Sequence, residues 1–430
     1  MTLDRTIAPK IKSSTEYNFL TAETQHLKNG VPLHVINSGE QEVMRLQLVF
    51  NAGSIYQDKA IVAAAVNELI LEGTKKHSSE EISNLFENKG AFIDTELSSD
   101  NASINLYCLS SVNRISELKE LLLLLKEVIQ EATFPEEEIK HFVKVKRQNF
   151  SVNSKRVAFV ARNNFLAFLL GSKHAYSNKV ESVDFDNLTR EDLLNFYEKF
   201  YLNGELEIYV SGKVDFKIQQ LIKEVFDEFV YNRIEVAGES MLEISLPETS
   251  EKRIPIQSVL QTAIRMGCPV IDKKHPDFIP LYVANTILGA YFGSRLMNNI
   301  REDKGFTYGI QSSIVVQQHL AYFMIATEVG EQHKEATMHE IKKELDLLSD
   351  NLVGTAELNL VKNYLRGSIL KNFDGAFAAM DRFRSVNQLQ LIDTYYYDLL
   401  KGIEAVKPKD IQFVSNKYLN WKKIKSIIVG

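Results

Sequence analysis

The sequence predicts an α+β protein of two tandem homologous domains, each a mainly antiparallel sheet with helices packed on one face. Three observations lead there. Short motifs recur in the same order at an offset of roughly 215 residues, the signature of an internal repeat. One segment alternates apolar and polar residues with the period of a half-buried strand, and another repeats apolar residues at helical spacing. A chain of 430 residues is also long for one core, which favours division into two.

Taken in order, Arg45-Leu46-Gln47-Leu48 has the period of two, and Val49-Phe50 extends it as an apolar end. Glu87-Asn88-Lys89-Gly90 closes a helical pattern and leads into a strand reaching Ser98; Tyr107 sits in the next strand. Ile115, Leu118, Leu121, Leu122, Leu125 and Val128 fall on one helix face and form a core-facing stripe. The half ends with a helical stretch holding Asp192, then Tyr201-Leu202-Asn203 and a strand finishing at Gly212.

The second half repeats this. Glu302-Asp303-Lys304-Gly305 opens a strand reaching Ser313, Tyr322 lies in the next, and Asp410, Tyr418-Leu419-Asn420 and Gly430 reproduce the ending. The glycines suit helix-to-strand turns, where left-handed backbone is cheap only without a Cβ. Strands followed by runs of helices place the helices on one sheet face. The predicted boundaries are 1–215, a linker over 216–255, and 256–430. In the linker, Glu239, Glu243, Glu248, Glu251, Lys252 and Arg253 crowd around Pro247 and Pro255. The face between the halves is the expected binding surface.

Composition narrows the function classes. With 45% hydrophobic and 25% charged residues the chain is an ordinary globular one. A net charge of −6 and a pI near 5.9 supply no basic field for a phosphate backbone, so no nucleic-acid partner is expected. Two cysteines, Cys108 and Cys268, are too few for a disulfide framework or a thiolate metal site and suit a reducing compartment. The opening residues Met1 to Arg5 lack the apolar stretch of a secretory signal, and the Leu121 to Leu125 run is far shorter than a membrane span. The expected address is the cytoplasm, with no membrane partner.

The order of features from Leu27-Lys28-Asn29-Gly30 through Asn51-Ala52-Gly53-Ser54 and Leu71-Glu72-Gly73-Thr74 to Tyr201-Leu202-Asn203 and Gly212 resembles the pitrilysin/insulinase-type zinc metallopeptidases, including the mitochondrial processing peptidase group. The resemblance covers essentially the whole chain. It implies paired α+β halves enclosing a chamber, with an inverted zinc motif, H-x-x-E-H, a few residues before a Gly-Thr. That chemistry needs two histidines one helical turn apart to hold the metal, a glutamate to take a proton from bound water, and a distant glutamate as third ligand. Counting back from Gly73-Thr74, the motif positions fall on Ala64, Asn67 and Glu68. Ala64 has no donor atom, Asn67 is no base at neutral pH, and Glu68 alone is a poor anchor. The third ligand should lie within 136–165, where Lys140, His141, Lys144, Lys146 and Arg147 stand instead and no carboxylate follows Glu138 before Glu181. No metal and no cofactor are therefore expected in this chain. Two decoys resemble the motif. His77-Ser78-Ser79-Glu80-Glu81 lies after Gly-Thr and reads as a capping box of Ser78 with Glu81; His339-Glu340 is followed at the last motif position by Lys343.

In the second half the resemblance implies a different inheritance. Active relatives grip peptide with an Arg and, seven positions on, a Tyr; here these are Arg301 and Tyr308. A guanidinium fork and a phenol both donate to a carbonyl oxygen or to an oxyanion. The loop Leu288-Gly289-Ala290-Tyr291-Phe292-Gly293-Ser294-Arg295-Leu296 resembles the glycine-containing loop before that helix, so Gly289 and Gly293 either admit substrate backbone or end a helix. No G-x-S-x-G elbow, P-loop or Rossmann glycine run competes. The resulting expectation is a non-catalytic, substrate-binding subunit that pairs with a zinc-bearing homologous peptidase subunit and acts on peptide. Two alternatives stand beside it: a structural or peptide-holding pseudoenzyme without a catalytic partner, and an active metallopeptidase with unrecognised ligands.

Overall fold

Each half is built on its own sheet. The computed structural model describes residues 18–229, 242–257 and 259–430, so Met1 to Arg5 and Glu239 lie outside the described residues. The first half contains strands β1 (Glu23–His26), β2 (Pro32–Asn37), β3 (Val43–Phe50), β4 (Phe92–Leu97), β5 (Ala102–Leu109) and β6 (Leu206–Gly212). Its helices are α1 (Val62–Leu69), α2 (Ser79–Glu87), α3 (Ile115–Gln130), α4 (Glu136–Asn153), α5 (Val157–Leu170), α6 (Arg190–Tyr197) and α7 (Phe216–Phe226). The sheet order is β1-β2-β6-β3-β5-β4, parallel only between β2 and β6.

The second half contains β7 (Glu251–Ile254), β8 (Gln261–Pro269), β9 (Thr307–Val316), β10 (Ala321–Gly330) and β11 (Lys425–Val429). Its helices are α8 (Phe278–Gly289), α9 (Lys334–Asp350), α10 (Thr355–Lys371), α11 (Gly375–Gln388), α12 (Tyr395–Ala405) and α13 (Pro408–Tyr418). The order is β7-β11-β8-β10-β9, with the β7–β11 pair parallel and the others antiparallel. The duplication is written into backbone angles as well as sequence. Gly90 and Gly305 both turn a helical segment into an edge strand at φ 67 and 65, a conformation that costs an L-residue about 1–2 kcal/mol.

The α3 stripe is core as its spacing requires, with Leu118, Leu121, Leu122, Leu125 and Val128 buried against the first sheet. Cys108 and Cys268 are both buried and free, and burial pushes each thiol up to about 12, which removes them from thiolate chemistry.

Two features differ from the sequence expectation. Two parts of the segment assigned to a linker over 216–255 belong to the halves themselves: α7 buries Ile218, Leu221, Ile222, Val225 and Phe226 in the first core, and β7 pairs with β11 in the second sheet. The charged residues around Pro247 and Pro255 that follow this helical spacing mask it in sequence. Secondly, β3 is not half-buried but buried on both faces from Met44 onward.

The reason for the second difference is an exchange of helices. The α5 helix of the first half packs on the second sheet, where Val157 and Ala161 meet Ala263, Ile427 and Val429, while Phe165 and Leu169 join Leu320 and Tyr322. The corresponding helix of the second half, α11, packs on the first sheet, with Ala379 and Met380 against Ile36, Val49 and Tyr209. Polar ties complete the joint: Arg45 Nη2 donates to Asp381 Oδ1 at 2.6 Å and to the Phe377 carbonyl at 2.9 Å. The backbone N–H groups of Gln318 and His319 donate to Asp100 and to the Tyr176 hydroxyl. The face between the halves, expected to be a binding surface, is thus extensively filled by side chains of the chain itself.

Candidate functional site

The degenerate motif lies on α1, whose apolar residues Val62, Ala63, Ala65, Val66 and Leu69 face the core. Ala64 is half-buried and offers only a methyl group. Asn67 is 2% exposed, and its Oδ1 accepts from the Tyr201 hydroxyl at 3.1 Å. Burial pushes the Tyr201 phenol far up, so it remains a donor. Glu68, on the exposed face, receives the ammonium of Lys146 at 2.5 Å. Lys146 projects from α4, the element expected to carry a third ligand, and lies 5.3 Å from the Phe142 ring.

These residues do not fit a zinc ion. An ammonium already neutralises the one carboxylate, the buried amide is engaged by a phenol, and the remaining position has no lone pair. Among the described residues no three His, Cys, Asp or Glu side chains group as a metal site. Of the decoys, Ser78 and Glu81 form the reciprocal capping box at the start of α2, and His77 Nδ1 lies 2.8 Å from Glu127 Oε1 on α3. Glu340 holds Asn299 and Lys304.

Arg301 sits in a wide π turn, Met297–Asp303, tied to α9 through Asn299, whose amide donates to Glu340 at 3.0 Å and Glu344 at 2.6 Å. Its guanidinium lies 4.6 Å from the Phe292 ring centre and makes only a loose 3.3 Å contact with Glu302. Tyr308 stands on the edge strand β9 and is 92% exposed. A register shift opposite, between Thr327 and Val329, and the hydroxyl bonds of Thr307 to the Glu328 carbonyl and of Thr327 to the Gly309 carbonyl, shape this end of the strand.

A cavity of about 750 Å³ gathers Gly289, Phe292, Tyr308, Arg265 and Glu328, with Ala158 of α5 at its wall. Arg301 reaches it through Phe292 and does not itself line it; nor does Gly293, whose Cβ would come within 2.8 Å of the Tyr291 ring. Gly289 ends α8 against β9: a Cβ there would lie 2.6 Å from Ser312 Oγ and 2.8 Å from its backbone nitrogen. Close approach of helix to strand therefore accounts for this glycine.

Arg265 was missed by sequence reasoning. It donates to the Met324 sulfur at 3.1 Å, and burial together with the charge of Arg162 pushes its pKa down. Its sequence signal is a single cation inside an apolar strand.

Models of one family match both halves: "Insulinase (Peptidase family M16)" over residues 34–174 and "Peptidase M16 inactive domain" over 187–365. The chain belongs to the M16 peptidase family. Among M16 relatives, the "Uncharacterized zinc protease YmxG" of Bacillus subtilis is 22% identical over 368 residues, covering 83% of this chain and 85% of that protein. The "Non-peptidase homolog YmxG" of Helicobacter pylori is 24% identical over 340 residues, covering 75% and 74%. The crystal structure of a peptidase M16 inactive domain from Pseudomonas fluorescens shares the fold at a TM-score of 0.85 and 23% identity, covering 96% of this chain and 98% of that one. Within the M16 fold this chain is a homologue with no H-x-x-E-H sequence over residues 64–68, where Glu68 instead pairs with Lys146. No helix among the described residues is long and apolar enough to cross a membrane.

Proposed function

We propose that this chain is the substrate-binding, non-catalytic subunit of a heterodimeric zinc metallopeptidase, paired with a zinc-bearing M16 homologue. The observation that carries the reading is asymmetry between the halves. At the positions Ala64, Asn67 and Glu68 the Asn67 amide oxygen and the Glu68 carboxylate are engaged within the chain, whereas among the described residues Tyr308 presents an unbonded phenol at an open cavity, with Arg301 stacked behind Phe292. The filled joint between the halves supports the same reading, because a chamber closed over peptide then draws on a second molecule.

In this role Tyr308 donates its hydroxyl proton in a hydrogen bond to a peptide carbonyl. Arg301 leaves its exposed contact with Glu302 at little cost and donates to the oxygen that gains negative charge as water adds to the carbonyl. Gly289 and Gly293 shape the loop that positions Phe292 beneath the guanidinium. The proposed address is the cytoplasm, in keeping with the two free buried cysteines.

The test is reconstitution. The purified chain alone is expected to show no peptidase activity and less than stoichiometric zinc, and activity is expected when a zinc-bearing homologue from the same source is added. A stable homodimer that binds peptide but activates no partner would favour the peptide-holding alternative. Stoichiometric zinc in the isolated chain would favour the active-enzyme alternative.

A further inference from the structure

Besides the cavity at Tyr308, the second half encloses a smaller one of about 320 Å³. Its polar lining is Lys273 from the segment before α8, Tyr282 on α8, Asn372 after α10, Arg382 on α11 and Tyr395 and Tyr396 on α12, with Phe278 among its apolar walls. None of its lining residues is Asp or Glu. Helix α11 stands between this space and the first sheet, since Met380 packs on that sheet while Arg382 lines the cavity.

The charges here are unbalanced. Among the described residues neither Lys273 nor Arg382 has a carboxylate partner within ion-pair distance, although Arg45, Arg253 and Arg295 all do. The Arg382 Nε is buried without a hydrogen-bond partner. Lys273 rests with its ammonium 5.7 Å from the Tyr395 ring centre. Burial, and then the charge of Arg382, lower the Lys273 pKa, so the two cations oppose each other across the cavity. Two half-buried cations that face each other without an anion are unfavourable, and a guanidinium fork with an ammonium matches a tetrahedral oxyanion. Tyr282 and Tyr396, whose phenols burial holds in the protonated form, add hydroxyl groups, and the Tyr396 oxygen is already engaged by Arg382 and Ser385.

We propose that this cavity binds a phosphate group, either as inorganic phosphate or on a small phosphomonoester whose apolar part rests against Phe278. Lys273 and Arg382 supply the two charges that a dianion requires, and Asn372, Tyr282 and Tyr396 supply donors to its oxygens. The site shares no lining residue with the cavity at Tyr308 and does not depend on the peptidase reading. Its ligand would bear directly on α11, the helix that holds the first sheet.

The full chain titrated by calorimetry with inorganic phosphate, and separately with phenyl phosphate, tests this at constant ionic strength. Saturable binding at one site per chain is expected. Arg382→Gln and Lys273→Met should each weaken it by about tenfold or more, the usual worth of a charge-assisted hydrogen bond; Lys409→Gln, on the exposed face of α13, should not. Binding of both ligands with phenyl phosphate tighter identifies a phosphomonoester site, and binding of inorganic phosphate alone identifies a free-phosphate site; either supports the proposal. No saturable binding of either, or binding unchanged in both cavity variants, would overturn it. Should Arg382→Gln fail to fold, Lys273→Met and Asn372→Leu carry the same comparison.

Discussion

Single residues show how far chemistry can be inferred before geometry is known. Ala64, Asn67 and Glu68 are picked out by their distance to Gly73-Thr74, because a metal motif is a matter of residue type and spacing. That Lys146 would close on Glu68 was not legible, since the partner lies on a helix far away in sequence. The burial of Arg45 is hidden for a related reason: an alternating strand puts its polar positions toward solvent, whereas a helix from the other half buries it against Asp381. Removing that partner strands a buried guanidinium, so Asp381→Asn should lower unfolding free energy by about 1–3 kcal/mol in urea titrations. His34 makes a pH-dependent claim. It is 3% exposed, stacked 4.7 Å from Tyr209, with Phe383 of α11 at 5.1 Å, and burial followed by the charge of His26 pulls its pKa from 6.5 down to about 4. Between those values the unfolded chain takes up a proton that the folded chain refuses. Stability is therefore fully retained above pH 6.5 and declines as pH falls toward 4, by about 3 kcal/mol in order of magnitude. Urea midpoints at pH 7 and pH 5 should converge in His34→Phe relative to the parent; an unchanged gap would contradict this role.

At the scale of elements, local signals served best where they were strongest. The Ser78 and Glu81 capping box and the α3 stripe lie where their residue patterns put them, because both are set by neighbours within a turn or two. Ser78→Ala should cost about 1 kcal/mol, read from the same denaturation curves. The α7 helix was hidden by the charged segment that follows it, although its apolar residues recur at helical spacing. In sequence the loop containing Gly289 admits two readings, and the helix–strand contact at Ser312 decides for packing. Gly289→Ala must push the end of α8 from β9, with a cost of about 1–3 kcal/mol and a smaller cavity at Tyr308. A variant of undiminished stability would show that the contact relaxes freely. The π turn bearing Arg301 could not be foreseen, because its anchors, Glu340 and Glu344, belong to a helix some forty residues away.

The whole molecule is a duplication whose copies interlock. Repeated motifs made the two domains visible in sequence, but not that α5 and α11 change places to cover each other's sheets. That exchange has no local signature; it appears in sequence only as strands whose polar positions are buried after all. It also couples the halves, so Met380→Asp, at the contact of α11 with the first sheet, should lower the thermal midpoint of both halves together, monitored by hydrogen exchange in β3 and β10. Loss of protection in β3 alone would mean that the halves are independent. The same duplication frames the functional account, in which one copy has lost the zinc motif and the other presents Tyr308 with Arg301 close by. The most direct measurement is kcat/KM of the complex reconstituted with a zinc-bearing homologue, comparing the parent chain with Arg301→Ala and Tyr308→Phe. The account predicts a fall of about 10²–10³-fold when either donor to the developing oxyanion is removed, with the complex still assembled. Full activity in both variants would contradict it.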